Sequence, residues 1–525
     1  MNGIASSQTI TATAILLLVY AGLTLFFVVR GARRTGSMAD YAVGSVNFSP
    51  VAVGLSLAAS MTSAATFIIN PGFVALYGLS GVLSFGIVMP LAAFVSLIVL
   101  TKGFRKHGQT VKALTMAQWM GSRYQSPFLT RYFAVLSLLL ITFIVLICVG
   151  ITRVLSQALD VQPVYVLVGL VVFVFGYMMF GGANSMVYTN TLQVGLKLVV
   201  AVVLLGSGYR HFSEGVHGFL AKLSAIDPAL VHSVNPQSYF FRDYFEIIFC
   251  QIIVGIAIVC QPHTITKSLL LKSDKDVNRY LLTAVVVLTL FFMVVFTGLY
   301  ARLAFPNLMV NGQALKMDAI IPAYVLSEFP VYLTLLVVLG LAASGISTLE
   351  GLIQSLSTTI TADLIRPAVG EKFFSGQTGH RREIIINRSV IVLLAVVSIL
   401  LSYNQITHPN LSVAVFAQNG VYAYFAAAFI PVFFGILFKD APRMAVVAAS
   451  IVAIGVHFTV YYAELTPYMH APVKNPGVPA ALAILSSALV GSVLFIILRR
   501  NKQNEPVYSG RSPSAMHALA DDRMP

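Results

Sequence analysis

Charge is scarce in this chain. Only 10% of its 525 residues are Asp, Glu, Lys or Arg, where soluble domains carry about 25%, and that scarcity excludes a water-soluble globular protein. Cysteine is scarcer still: Cys148, Cys250 and Cys260 all fall inside apolar runs. This excludes a disulfide framework and a Cys-rich metal site, leaving the thiols as packing residues. His-Glu-x-x-His, Gly-x-Ser-x-Gly and Walker-type phosphate loops are missing from the sequence, so metalloprotease, hydrolase and ATP-driven chemistry have no foothold. No catalytic residue is nominated and no cofactor is expected. Only about 25 polar residues follow the last apolar run, too few for an attached signalling domain.

What is abundant is long apolar sequence: 58% of residues are hydrophobic and the mean hydropathy is +0.85. A helix crosses a bilayer in roughly 20 mostly apolar residues. The chain offers thirteen such spans, at 10–29, 49–76, 79–101, 130–153, 163–180, 186–206, 244–271, 280–304, 330–364, 384–403, 410–438, 441–463 and 477–498. The first is retained as a membrane helix, because Arg30, Arg33 and Arg34 follow it and no basic residue precedes it. With the N-terminus outside, 25 of the 33 basic residues fall in inner segments and 7 in outer ones, leaving Lys197 within a span. The positive-inside rule therefore orients the chain N-terminus out and C-terminus in. The +14 charge reads as topology, with the lipid bilayer as partner, no nucleic acid and no obligate protein partner. The expected location is the inner (cytoplasmic) membrane.

Two spans carry helix breakers at mid-membrane: Asn70-Pro71-Gly72 in the second and Gln261-Pro262-His263-Thr264 in the seventh. Broken helices within a bilayer are tolerated where their freed backbone groups face protein or a wet cavity. With span one set aside, the breaks open two consecutive groups of five spans. Five is odd, so the second group enters inverted, the plan of many secondary transporters. The chain divides accordingly into an extra helix and basic loop (1–45), a first five-helix repeat (46–208), an outer loop (209–243) and a second repeat (244–440). Two more helices (441–500) and a disordered cytoplasmic tail (501–525) follow. A short amphipathic helix is expected around Phe219 to Leu223. In span nine, Ser344, Ser347 and Thr348 share one helical face, where hydroxyls and carbonyls could hold a monovalent cation; small residues there also suit close helix packing.

Ala59-Ser60, Pro71-Gly72, Gly181-Gly182, Tyr188-Thr189, Gln193, Gln261-Pro262-His263 and Ser347-Thr348 together resemble the sodium:solute symporter family across nearly all the spans. Within it, Arg123-Tyr124-Gln125-Ser126, Ile226-Asp227-Pro228 and Pro262-His263-Thr264 resemble the carriers of pantothenate and related carboxylates. The resemblance implies sodium-driven uptake of a small solute by alternating access. The sodium ligands it implies are the backbone carbonyls of Ala59, Thr62 and Ser344 and the hydroxyls of Ser347 and Thr348. Substrate would sit beside them, against Ser63, Thr66, Gln261 and Gln418. The favoured solute is a small organic carboxylate, then an amino acid, then a sugar; a sensor or channel is a remoter alternative.

The chain departs from the family pattern at Met61, where some members have Asp, at Asn190, where Asp is frequent, at Ser344, where Ala is usual, and at Lys197 and Glu350, where apolar or neutral residues are commoner. An ionisable group within a span is costly and marks a functional hypothesis. Lys197 and Glu350 are expected to approach each other. Three readings stay open: a structural ion pair, an ammonium that takes over part of sodium's role and couples transport to protons, or a Lys197 that snorkels to the inner surface. His263 is a structural residue or a proton carrier, and His457 a packed one.

Overall fold

With no water at hand, an apolar run satisfies its backbone groups within a helix. The computed structural model is accordingly helical, with one small hairpin among the described residues, pairing Met309–Val310 with Gln313–Ala314. It describes residues 7–45, 48–271, 273–310, 312–408, 413–470 and 473–504, without the side chains of 7–9, 377 and 501–504. Among these residues ten helices are long and apolar enough to cross a membrane, or twelve when each of two bent pairs is taken as one span. The last helix, Gly477–Asn504, runs past the expected start of the tail at 501, and 505–525 lie outside the described residues.

The bent pairs are Pro50–Met61 with Ala65–Tyr77, at 59°, and Phe245–Ile258 with Pro262–Leu270, at 58°. The second breaks where the sequence predicts, with Gln261 extended (φ −79°, ψ 136°) ahead of Pro262. The first does not. Asn70-Pro71-Gly72 lies inside continuous helix, and the chain breaks instead at Thr62 (φ −116°, ψ 117°). The reason is local. A proline ring clashes with the carbonyl four residues earlier, and a wide π-helical segment, Ala65–Ile69, precedes Pro71 and absorbs the misfit. The same device, Val82–Val88 and Ile360–Ile365, precedes Pro90 and Pro367. At Thr62 the hydroxyls satisfy what the break frees: Thr62 Oγ1 donates to the Ala58 carbonyl (2.7 Å), and Ser63 Oγ accepts from the Ala65 amide (3.2 Å).

Pro163–Gly206 forms one long helix interrupted at Gly182 (φ 56°, ψ −157°), between two predicted spans. Only glycine fits there. The conformation lies where L residues are strained, and a Cβ would stand 2.6 Å from the Tyr41 ring and 2.8 Å from its carbonyl oxygen. This helix packs on Val331–Thr359, on Ser7–Ala32 and on Pro50–Met61. Val331–Thr359 is the axis of the fold, buried without interruption from Val337 to Thr359. Leu18, Phe26, Leu393 and Leu489 are by contrast exposed on the outer helices, as a lipid-facing surface requires. Between spans, helix Gly215–Ile226 buries Phe219 and Leu223, one turn apart, as the sequence predicts. Cys148, Cys250 and Cys260 are unpaired and buried.

Candidate functional site

A helix end leaves its last carbonyls without intrahelical partners, and the break at Thr62 aims two of them at one point. Lys197 Nζ fills that point. It donates to the carbonyls of Ala59 and Thr62, both at 2.8 Å, and to Ser347 Oγ at 2.7 Å. An ammonium has three hydrogens, and each finds an acceptor. Ser347 Oγ also lies 3.0 Å from the carbonyls of Ala59 and Ser344, and Thr348 Oγ1 lies 3.2 Å from the Thr62 carbonyl and 3.4 Å from that of Ser344. Ala59, Thr62, Ser344, Ser347 and Thr348 thus meet in one cage, fully buried, with a lysine at its centre.

Lys197 and Glu350 do not pair. No ion pair among the described residues includes either of them. Glu350 instead accepts from Tyr177 Oη (2.5 Å), Thr189 Oγ1 (2.6 Å) and Gln193 Nε2 (3.0 Å), and Gln193 Nε2 also reaches Tyr20 Oη at 3.1 Å. Of the three open readings, the direct ion pair does not form in this geometry: neutral donors saturate the carboxylate, while the ammonium finds a full set of oxygens at the break. Snorkelling is excluded too, since Lys197 has no exposed surface and turns inward.

A second buried lysine escaped the sequence reading, which counts Lys267 among inner-loop residues. It is 3% exposed and donates to Ser56 Oγ at 2.8 Å. With the Asn190 amide nitrogen turned toward Glu350 Oε2 (3.1 Å), its oxygen accepts from Lys267 Nζ at 3.3 Å, so Asn190 bridges the lysine and the carboxylate. The amide's orientation follows from this network. A signal for Lys267 did exist: it stands one turn after His263, on the same face, within an apolar run reaching Leu271.

Beside the cage lies a cavity of about 110 Å³ lined by Ser63, Thr66, Gln261 and Gln418, all four expected substrate residues, and by Ser60 and His263. It holds many times the ~10–15 Å³ that one water needs. Ser60 Oγ, Gln261 Oε1 and His263 Nδ1 are buried there without a hydrogen-bond partner among the described residues, while Gln261 Nε2 donates to the Ile258 carbonyl at 3.0 Å. Phe143, Phe292 and Tyr422 supply apolar wall. His263 therefore belongs to the cavity, whereas His457 is packed, its Nε2 within 3.1 Å of the carbonyl and amide oxygens of Asn419.

Two broken helices crossing beside a buried oxygen cage and a polar cavity define a membrane carrier architecture. The solved structure of a Na⁺-coupled sialic acid symporter, substrate-bound and outward-open, has this fold: TM-score 0.73 over 92% of this chain and 98% of that one, at 16% identity. The chain belongs to the sodium:solute symporter family, whose model matches residues 41–452, and so to transporters, not enzymes. Relatives include the sodium/pantothenate symporter of Haemophilus influenzae, 24% identical over 80% of this chain and 83% of that protein. That of Escherichia coli is 30% identical over 56% and 60%. A monocarboxylic acid transporter of Corynebacterium glutamicum is 22% identical over 74% and 72%.

Proposed function

We propose that this protein takes up a small organic carboxylate across the inner membrane by alternating access. In this reading the chain crosses the membrane thirteen times, with Pro163–Gly206 taken as two spans that meet at Gly182. Of these, the repeats 46–208 and 244–440 enter as inverted copies, with the N-terminus outside and the C-terminus inside. The observation that carries this reading is the cavity itself, where Ser63, Thr66, Gln261 and Gln418 converge next to the cage. Hydroxyl and amide donors suit a carboxylate without a permanent ion pair, so the solute can leave again. The buried Lys197 ammonium, bonded to carbonyls on the same broken segment, adds a positive potential that favours an anion over a neutral sugar. The names of the pantothenate and monocarboxylic acid relatives point the same way.

The family's name makes sodium the expected coupling ion, and Ala59, Thr62, Ser344, Ser347 and Thr348 are the oxygens it would need, three of which Lys197 Nζ already uses. The test is uptake by the purified chain in proteoliposomes, with labelled pantothenate, pyruvate, amino acids and sugars under imposed sodium or proton gradients. Saturable accumulation of a carboxylate supports the proposal. Accumulation of neutral solutes alone, or a non-saturating conductance, overturns it.

A further inference from the structure

We infer that Lys197 is a resident cation: its ammonium holds the coupling-ion position in place of sodium, and the carrier works without binding sodium there. The inference rests on the transport reading above and changes its coupling ion.

Geometry comes first. The three closest contacts of Lys197 Nζ, at 2.7 to 2.8 Å, are with Ala59, Thr62 and Ser347, three of the five groups that would otherwise ligate the ion. Thr348 and Ser344 complete the cage through hydrogen bonds to those same groups. A sodium ion bound by these oxygens would lie almost in contact with the ammonium, and two like charges at that separation inside protein repel strongly. Ion and lysine are therefore alternatives.

Charge balance comes second. Glu350 accepts from Tyr177, Thr189 and Gln193, and the buried Lys267 already reaches it through Asn190, so this carboxylate is not free to neutralise a cation in the cage. Met61, within the helix end that supplies the cage carbonyls, and Asn190, two turns before Lys197, are both neutral. The cage is built of carbonyls and hydroxyls around an ammonium and includes no carboxylate, the opposite of what another cation requires.

Third, the lysine is fully engaged where it stands. It is buried within the helix pair it joins, and an ammonium there is tolerated because every donor is used. A dissociable ion makes the bridge between the first broken pair and Val331–Thr359 depend on sodium concentration. A tethered ammonium makes the same bridge independent of it.

The test uses the full chain in three measurements: radiosodium binding, thermal unfolding in sodium or choline chloride, and proteoliposome uptake of labelled pantothenate and pyruvate with either salt outside. For the wild type we expect no saturable radiosodium binding that Ser347→Ala removes, and uptake changed by less than about twofold when choline replaces sodium. Lys197→Ala opens the cage, so sodium should then bind and raise the variant's uptake or stability by at least about tenfold in the corresponding constant. Wild-type uptake that collapses without sodium, or wild-type sodium binding abolished by Ser347→Ala, overturns the inference. So does a folded Lys197→Ala that gains no sodium response. If Lys197→Ala does not fold, the wild-type binding and unfolding measurements decide alone. If neither solute is taken up under any gradient, the carboxylate reading fails while the sodium measurements still judge Lys197.

Discussion

Lys267 Nζ lies 2.8 Å from Ser56 Oγ, tying the segment after Pro262 to the helix before Thr62. Through Asn190 the same lysine faces Glu350, so one buried network spans both broken pairs and Val331–Thr359. Lys267→Met should destabilise the protein by about 1.5–3 kcal/mol, the worth of hydrogen bonds to a charged group, measured as a lower unfolding midpoint in detergent. Glu350→Gln removes the charge that Lys267 helps to balance. The double variant should therefore lose less than the two single losses added, by about 0.5–3 kcal/mol. Strict additivity would show that the two groups do not interact.

The ease of reading this site from sequence varied with the physics behind each residue. Ala59, Thr62, Ser344, Ser347 and Thr348 carry a spacing and motif that local sequence displays, and they meet in space. The break at Gln261-Pro262 was equally visible. The one assigned to Asn70-Pro71-Gly72 was not at the proline, because a π-helical segment accommodated the ring and hydroxyl side chains made Thr62 the cheaper place to interrupt the helix. Partner choice was the least legible. Lys197 and Glu350 have opposite charges and are both buried, yet each bonds elsewhere, since hydrogen-bond geometry at a break is set by backbone direction. Lys267 was lost to a counting rule that treats a lysine near a span's end as exposed.

Gly182→Ala is expected to prevent accumulation of folded protein. The φ of 56° with ψ of −157° costs a non-glycine residue about 1–3 kcal/mol, and the added methyl would meet Tyr41 side chain and backbone together. Tyr41 cannot yield easily, because its hydroxyl donates to the Met178 carbonyl at 3.1 Å across the same kink. Expression yield and monodispersity on size-exclusion chromatography would register the loss. A variant with wild-type yield would place the kink's cause elsewhere.

Arg123, from the motif that suggests carboxylate carriers, does structural work in the fold. Its guanidinium donates to the carbonyls of Gly435 and Phe438, both at 2.6 Å, and of Lys439 at 3.0 Å, capping the C-terminal end of Val413–Leu437, where a cation also suits the helix dipole. Arg123→Ala should lower stability by about 1.5–3 kcal/mol and leave the solute's KM within about twofold of wild type. A large rise in KM with unchanged unfolding temperature would instead assign Arg123 to solute binding.

The cavity residues should behave in the opposite way. Gln261 Oε1 is buried without a partner while the amide nitrogen is held by the Ile258 carbonyl, so the side chain is fixed with its acceptor free, suited to a hydroxyl on the solute. Ser63 and Gln418 offer the donors for a carboxylate. Gln261→Ala should therefore raise KM about tenfold for a hydroxylated carboxylate such as lactate or pantothenate, and far less for pyruvate, which has no hydroxyl to donate; a lost neutral hydrogen bond is worth about 0.5–1.5 kcal/mol. Gln418→Ala should raise KM for all three carboxylates alike. Both variants should unfold near the wild-type temperature, since each leaves the helix contacts in place. Equal KM changes for lactate and pyruvate in Gln261→Ala would mean that this amide shapes the cavity without choosing the solute.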